Sequence, residues 1–526
     1  MTGVAPSASE RRPRISAVKN VLANWGTFAF AALVNFFLAP IVVDQLGTSS
    51  YGLWVLLASV VGYLGLLDFG VRGAVMRYIA HKHAATEHGE AGLIASSALS
   101  LFGIMGAVAI LMAAILALSV EHLFNIPSEL VHISRWVLLI GGVNIAVALV
   151  TGVFGGIIAA LQRFDLNGWI ELTVEAGRAC AIFLALRAGY GLLALAFIQL
   201  AATAVRGGAT MVVSRRLYPG LRISLATFSS QHVRPLLSFS GYSSLIHLST
   251  AIILQADAAI IGMFLPVAMI GYFAVAGNLV YYARSLIGGI ALTVTPRASA
   301  MQARGEEAQA SRIPLDAGRW STLVILAIAV TFLLRGSTFI HLWMGAEFST
   351  ISGTVLRILT LALLLDAGRH IIVVTLMGLN RHKAVVPVFV LEAIASLALS
   401  VLLVKRFGIV GVAWGTVLPR VLASAVFIPR IYARSQRLSL WDVWREIWLR
   451  PALAIIPFAA VTYLIERSWP ATTMTVFFLE VALALPVVML GAWLVVAQPA
   501  ERVAFATRIA TLRKDRRLRP LSSSPE

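Results

Sequence analysis

Fourteen apolar runs follow one another along the chain, separated by short polar gaps. They cover residues 20–43, 51–79, 93–119, 136–161, 169–186, 190–213, 236–263, 267–296, 320–340, 351–378, 385–404, 408–429, 451–466 and 473–497. An apolar run of about 18 residues or more is long enough to cross the hydrocarbon core as a helix. The pattern lacks the short alternating segments of about ten residues that build a membrane β-barrel. It predicts an all-α, polytopic membrane protein with about 14 transmembrane helices.

The gaps alternate in charge. With the N-terminus inside, 29 of the 42 Lys and Arg fall in cytoplasmic segments, and six fall outside: Arg135, Arg187, Arg335, Lys405, Arg406 and Arg467. Lys and Arg concentrate in short cytoplasmic loops, so the bias predicts that both termini are cytoplasmic. The seven that remain, all Arg, lie within the spans.

Composition agrees. The chain has 526 residues, 59% hydrophobic and only 13% charged, with mean hydropathy +0.86. Soluble domains are about 25% charged. The net charge of +18 is accounted for by the loops, so nucleic acid is not an expected partner. A single cysteine, Cys180, excludes disulfides within the chain and disfavours a thiolate metal site. Residues 1–19 are polar and basic, and the run after them is too long for a cleaved signal.

A weak repeat relates Leu46–Tyr51–Gly52 to Leu265–Gly271–Tyr272, about 220 residues apart, each preceding a long helix rich in small residues. The expected organisation is a cytoplasmic tail (1–19), a six-helix bundle (20–213), a linker (214–235), a second six-helix bundle (236–433), an interfacial amphipathic segment (434–450), an extra helix pair (451–497) and a basic cytoplasmic tail (498–526). The Trp-rich stretch Leu440–Leu449 is expected to lie on the inner leaflet.

Ionisable groups inside spans are costly, about 2.5–3.5 kcal/mol each on insertion scales, and commonly face a cavity or a partner. Asp68 and Arg72 are four apart, as are Glu171 and Glu175, with Arg178 three further on; each set falls on one helical stripe. Either set fits a functional site or a structural pair, and Arg77 fits a cation reaching the cytoplasmic headgroups. The second half carries Asp257, Arg284, Asp366, Arg369, His370, Glu392 and, just after Pro419, Arg420. Most of these fall towards the cytoplasmic side, with Asp257 farther out. Arginines there suit an anionic headgroup taken from the inner leaflet, because the planar guanidinium grips phosphate oxygens. The candidates for headgroup binding are Arg72, Arg77, Arg178, Arg284, Arg369 and Arg420. Those for cation coupling are Asp68, Glu171, Glu175, Asp257 and Asp366. No P-loop, HExxH motif or large outer loop points to an enzyme.

The stretch Leu38-Ala-Pro-Ile-Val-Val-Asp-Gln-Leu-Gly47-Thr-Ser-Ser-Tyr51-Gly52-Leu-Trp54, running into Gly62-Tyr-Leu-Gly-Leu-Leu-Asp68-Phe-Gly70 and Arg77-Tyr-Ile-Ala, resembles the start of bacterial O-antigen-type polysaccharide flippases. These belong to the multidrug/oligosaccharidyl-lipid/polysaccharide exporter superfamily, with MATE exporters and the lipid II flippase. The resemblance implies two bundles around a central cavity, alternating access, and a polyprenyl-diphosphate-linked oligosaccharide moved from the inner to the outer leaflet. It also implies H⁺ or Na⁺ as coupling ion, no bound cofactor, and Arg72, with Arg77 beside it, as the nearest equivalents of the family's headgroup arginines. Glycan polymerase and glycosyltransferases are the expected protein partners, in the inner membrane. The competing readings are a MATE-like drug exporter, which calls for a more acidic cavity, and a membrane enzyme of glycan assembly.

Overall fold

A computed structural model describes residues 13–503 and 507, apart from 69, 86 and 222–240. Every regular element among them is helical. The first half comprises α1 (Pro13–Leu46), α2 (Thr48–Leu64), α3 (Val71–Ala84), α4 (His88–Leu123), α5 (Ser128–Ala160), α6 (Phe164–Arg187) and α7 (Leu192–Leu217). The second comprises α8 (Gly241–Phe264), α9 (Ala268–Ala303), α10 (Ile313–Met344), α11 (Ala346–Gly378), α12 (Val386–Leu422) and α13 (Ile428–Gln436). After these come α14 (Leu440–Trp444), α15 (Arg450–Ser468) and α16 (Met474–Gly491). Residues 1–12, most of the expected linker and most of the basic tail lie outside the described residues.

Among the described residues, twelve stretches are long and apolar enough to cross a membrane. One of them, His382–Gln436, is 55 residues long and doubles back at Gly408, whose φ is 57°. Glycine tolerates that left-handed backbone at little cost. Past the turn, Ser400 Oγ donates to Val412 O at 3.3 Å, and Gly415 packs on Ser400. A straight helix would hold residues 400 and 415 about 22 Å apart. α6 is not among the twelve, because Glu171, Glu175 and Arg178 sit within it.

The second apolar run is broken where the sequence predicts one helix. Gly65–Asp68 forms a 3₁₀ turn, and Gly70 has φ 75°, so α3 starts afresh at Val71. Asp68 Oδ1 then accepts from the backbone N–H of Arg72 at 3.2 Å, occupying one of the orphan donors of the new helix. Within the stretch 434–450, α13 ends at Gln436 and residues from Leu440 onward are wound into the helix that follows. α14, a π turn at Arg445–Leu449 and α15 run on without a break. Val443, Ile447 and Trp448 are buried there, and Gly368 of α11 lets Ile447 and Trp448 approach closely.

Two arginines counted as loop cations are interior. Arg335, assigned to the outside, is buried in α10 and donates to Glu466 at 2.7 Å and to Glu480, carboxylates of α15 and α16. Arg319, assigned to an inner loop, is equally buried at the other end of α10, 2.6 Å from Glu501 and 3.9 Å from Glu446. The C-terminal helix pair is thus pinned to α10 at both ends.

In the first half α4 and α7 flank α5, and α1 and α7 flank α6. In the second, α9, α10 and α12 surround α11, and α8 packs on α12. The halves meet through α2, against α8 and α9. One end of the molecule, here the far end, carries the turns at 47, 124–127, 265–267 and 345; the near end carries those at 161–163, 304–312 and 379–381. Among the described residues, the hydrogen bonds joining the halves run from the far end to mid-depth. Asn125 Nδ2 donates to Met263 O, Trp343 Nε1 to Phe36 O, Ser59 Oγ to Gln255 O and Tyr63 Oη to Ile252 O.

Candidate functional site

A cavity of about 490 Å³ opens in the near-end part of the first half, between α3, α5, α6 and α7. Arg72, Asn167, Glu171, Arg206, Thr203 and Thr210 are among the residues that line it. Each arginine is placed by a glycine contact. The Arg72 guanidinium lies against α5 at Gly152, where a Cβ would stand 2.7 Å from Nη2. α7 approaches α5 closely because Gly207 faces Thr151, with no room for a Cβ, and Arg206 is the next residue back.

Both arginines are only loosely engaged. Arg72 is half exposed, its Nε 3.6 Å from Asp68 Oδ2. Arg206 Nη2 is 3.3 Å from Glu171 Oε1 with both side chains partly exposed, and Arg206 Nε has no hydrogen-bond partner among the described residues. Guanidiniums on a cavity wall with donors to spare are suited to a polyanion.

The stripe Glu171–Glu175–Arg178 is divided between two environments. Glu171 turns to the cavity, while Glu175 and Arg178 close a buried knot with Asn35 of α1. Arg178 donates to Glu175 Oε2 at 2.9 Å and to Asn35 Oδ1 at 3.1 Å, and Asn35 Nδ2 donates to Glu175 Oε1 at 3.3 Å. Neither Glu175 nor Arg178 lines the cavity. Arg77 is exposed on α3 and is not part of its wall either. Five positions from Arg72 on a helix turns the side chain about 140° away.

The second half gathers its charges into one network. Asp366 accepts from Arg284 Nε at 2.6 Å and Arg420 Nε at 2.7 Å. Glu392 accepts both Arg369 terminal nitrogens, at 2.9 and 2.6 Å, and lies 3.6 Å from Arg420 Nη1. Arg369 also sits over the Phe389 ring, 4.6 Å from its centroid. Asp366, Arg369 and Glu392 are buried, whereas Arg284 and Arg420 keep 22% and 14% of their side chains exposed. A π turn, Ala423–Phe427, follows Pro419 and Arg420, relieving the helix where Pro419 removes a backbone donor.

Asp257 stands apart. Thr416 Oγ1 donates to its Oδ1 at 2.6 Å, and no arginine or lysine lies within ion-pair distance among the described residues. The other four acids proposed from sequence each hold an arginine.

Sequence reasoning placed Arg72 and Glu171 at the site but not Arg206 as the partner of Glu171, nor Gly152 and Gly207 as the residues that seat the arginines. An arginine in the middle of an apolar span is a visible signal for Arg206; nothing local marks Gly152.

The profile of the polysaccharide biosynthesis protein family matches residues 17–302. The chain is 21% identical over 485 residues to the membrane protein EpsK of Bacillus subtilis, covering 87% of this chain and 93% of that one. It is 25% identical over 404 residues to a probable low-salt glycan biosynthesis flippase of Haloferax volcanii, covering 77% and 80%. Among solved structures it resembles the lipid II flippase MurJ in an inward closed conformation, with TM-score 0.72 and 13% identity over 90% of this chain and 98% of that one.

Proposed function

Because this chain belongs to the polysaccharide biosynthesis protein family and is similar to a probable glycan biosynthesis flippase, we propose that it carries a polyprenyl-diphosphate-linked oligosaccharide from the inner to the outer leaflet. The observation that carries this reading is the near-end cavity, whose wall holds Arg72 and Arg206, each paired to a carboxylate only at 3.6 and 3.3 Å. The diphosphate binds between them; Asp68 and Glu171 hold the guanidiniums in place when the cavity is empty. A competing anion displaces a carboxylate that holds its arginine only at 3.3–3.6 Å more readily than one inside a tight buried network. Arg284 and Arg420 are the more exposed arginines of the Asp366–Glu392 network and meet the headgroup as the halves close on it. Arg369 and Arg178, held in buried pairs, keep the scaffold in shape.

The membrane is crossed fourteen times in this reading. The stretch that doubles back at Gly408 counts twice, and α6, sheltered by its neighbours, is added to the twelve apolar stretches. The near end is cytoplasmic, a placement that the Lys and Arg distribution supports. Transport is by alternating access, driven by H⁺ or Na⁺, and the coupling acid is Asp257, the one candidate that makes no ion pair among the described residues. Glycan polymerase and glycosyltransferases act beside it on the same lipid-linked chain.

In cells lacking the endogenous protein, Arg72→Ala/Arg206→Ala should abolish surface glycan and leave lipid-linked precursor in the inner leaflet. Normal surface glycan from that double variant, expressed at the native level, would refute the assignment.

A further inference from the structure

The two copies of the internal repeat touch each other at the far end. Gly52 lies in the first turn of α2, and Gly271 in the first turn of α9. A Cβ on Gly52 would stand 2.0 Å from Val267 O; a Cβ on Gly271 would stand 3.3 Å from Thr48 O and from the Tyr51 ring. In the repeat, position 48 corresponds to 267 and 52 to 271, both 219 residues apart. The two contacts are therefore one contact made twice, glycine of each copy against the backbone four residues back in the other. That reciprocity is what a two-fold relation between two halves produces.

We propose that this crossing of Gly52 and Gly271 is a clasp that holds the far end shut and must part for the cavity to open there; the inference rests on the alternating-access reading above. Three features suit the crossing to that task. It lies at the end of the molecule opposite the arginine-lined cavity. Small residues let the two backbones meet in the absence of side chains, so the contact is close-packed. Its cohesion is van der Waals contact, with Tyr51, Leu53, Ile270 and Phe273 buried around it, so parting it strands no backbone donor. The polar fastening around it is light: Glu347 Oε1 accepts from Tyr272 Oη at 2.5 Å and from Thr48 Oγ1 at 3.2 Å, Asn125 donates from its backbone N–H to Gly262 O at 2.8 Å and from Nδ2 to Met263 O at 2.9 Å, and Trp343 Nε1 donates to Phe36 O at 3.0 Å.

A side chain at Gly52 is a wedge. The test is a distance measurement between spin labels in nanodiscs, with Cys180 replaced by alanine. One label pair sits at the far end (Gln45→Cys and Thr350→Cys), and the other at the near end (His81→Cys and Arg304→Cys). Gly52→Val should lengthen the far-end distance by more than about 5 Å, one turn of helix, and shorten the near-end distance. Gly271→Ala should move both in the same directions by less. Gly103→Leu, where a Cβ meets nothing within 4 Å, should move neither. Unchanged distances in a monodisperse Gly52→Val protein would overturn the clasp; if that variant does not fold, unchanged distances in Gly52→Ala, whose Cβ alone would stand 2.0 Å from Val267 O, would do so. The measurement uses no substrate. A clasp that fails while prenyl diphosphate still binds leaves the transport reading intact, and a clasp that holds while no diphosphate binds removes only that reading.

Discussion

At the scale of residues, the charged groups of the interior divide by how tightly each is held. Arg72 and Arg206 are loosely paired and partly exposed on a cavity wall, whereas Arg369 and Arg178 are held tightly by buried carboxylates. A charge-assisted hydrogen bond contributes about 1.5–3 kcal/mol, so Arg206→Ala should weaken binding of a short prenyl diphosphate about 10- to 100-fold by calorimetry. Arg206→Lys should recover only part of the loss, because the ammonium lacks the fork. Arg77→Ala should bind as the parent does. Asp366→Asn should act on stability instead: it strips Arg284 and Arg420 of their shared counter-charge, and breaking a buried pair costs about 3–5 kcal/mol. A marked fall in melting temperature is expected there. Asp257→Asn, which breaks no ion pair, should leave the melting temperature near that of the parent while uptake loses its dependence on the cation gradient. Gradient-dependent uptake by Asp257→Asn would exclude it as the coupling acid.

At the scale of elements, the spans and their ends were largely legible, because burial in lipid demands long apolar runs and the turns are marked by charge. Lys405 and Arg406 announce the reversal that Gly408 makes, even though the helices on either side abut. The break at 65–70 was not legible, since Leu66 and Leu67 keep the run apolar while Gly65 and Gly70 interrupt its backbone. The fate of Arg335 was not legible either. Its partners Glu466 and Glu480 lie 131 and 145 residues away, and only the packing of α15 and α16 on α10 brings them to it. The site was half legible: an arginine within a span is conspicuous, but its neighbour across a helix interface is not. Arg335→Ala leaves two carboxylates facing each other without a cation. It should loosen the C-terminal pair, seen as faster amide exchange in α15 and α16, while diphosphate binding in the distant cavity stays within about twofold.

At the scale of the molecule, a cavity at the near end and a packed seam at the far end give the two halves a polarity. The fold is shared with the lipid II flippase, and the family profile covers the whole first half. The central claim is that the cavity arginines carry a diphosphate headgroup across the bilayer. It is tested most directly in proteoliposomes holding a fluorescent polyprenyl-diphosphate oligosaccharide, with a membrane-impermeant quencher reporting the exposed leaflet. The parent protein should move label between leaflets under an imposed H⁺ or Na⁺ gradient, and Arg72→Ala/Arg206→Ala should not exceed protein-free liposomes. Equal movement by the parent and the double variant would contradict the account.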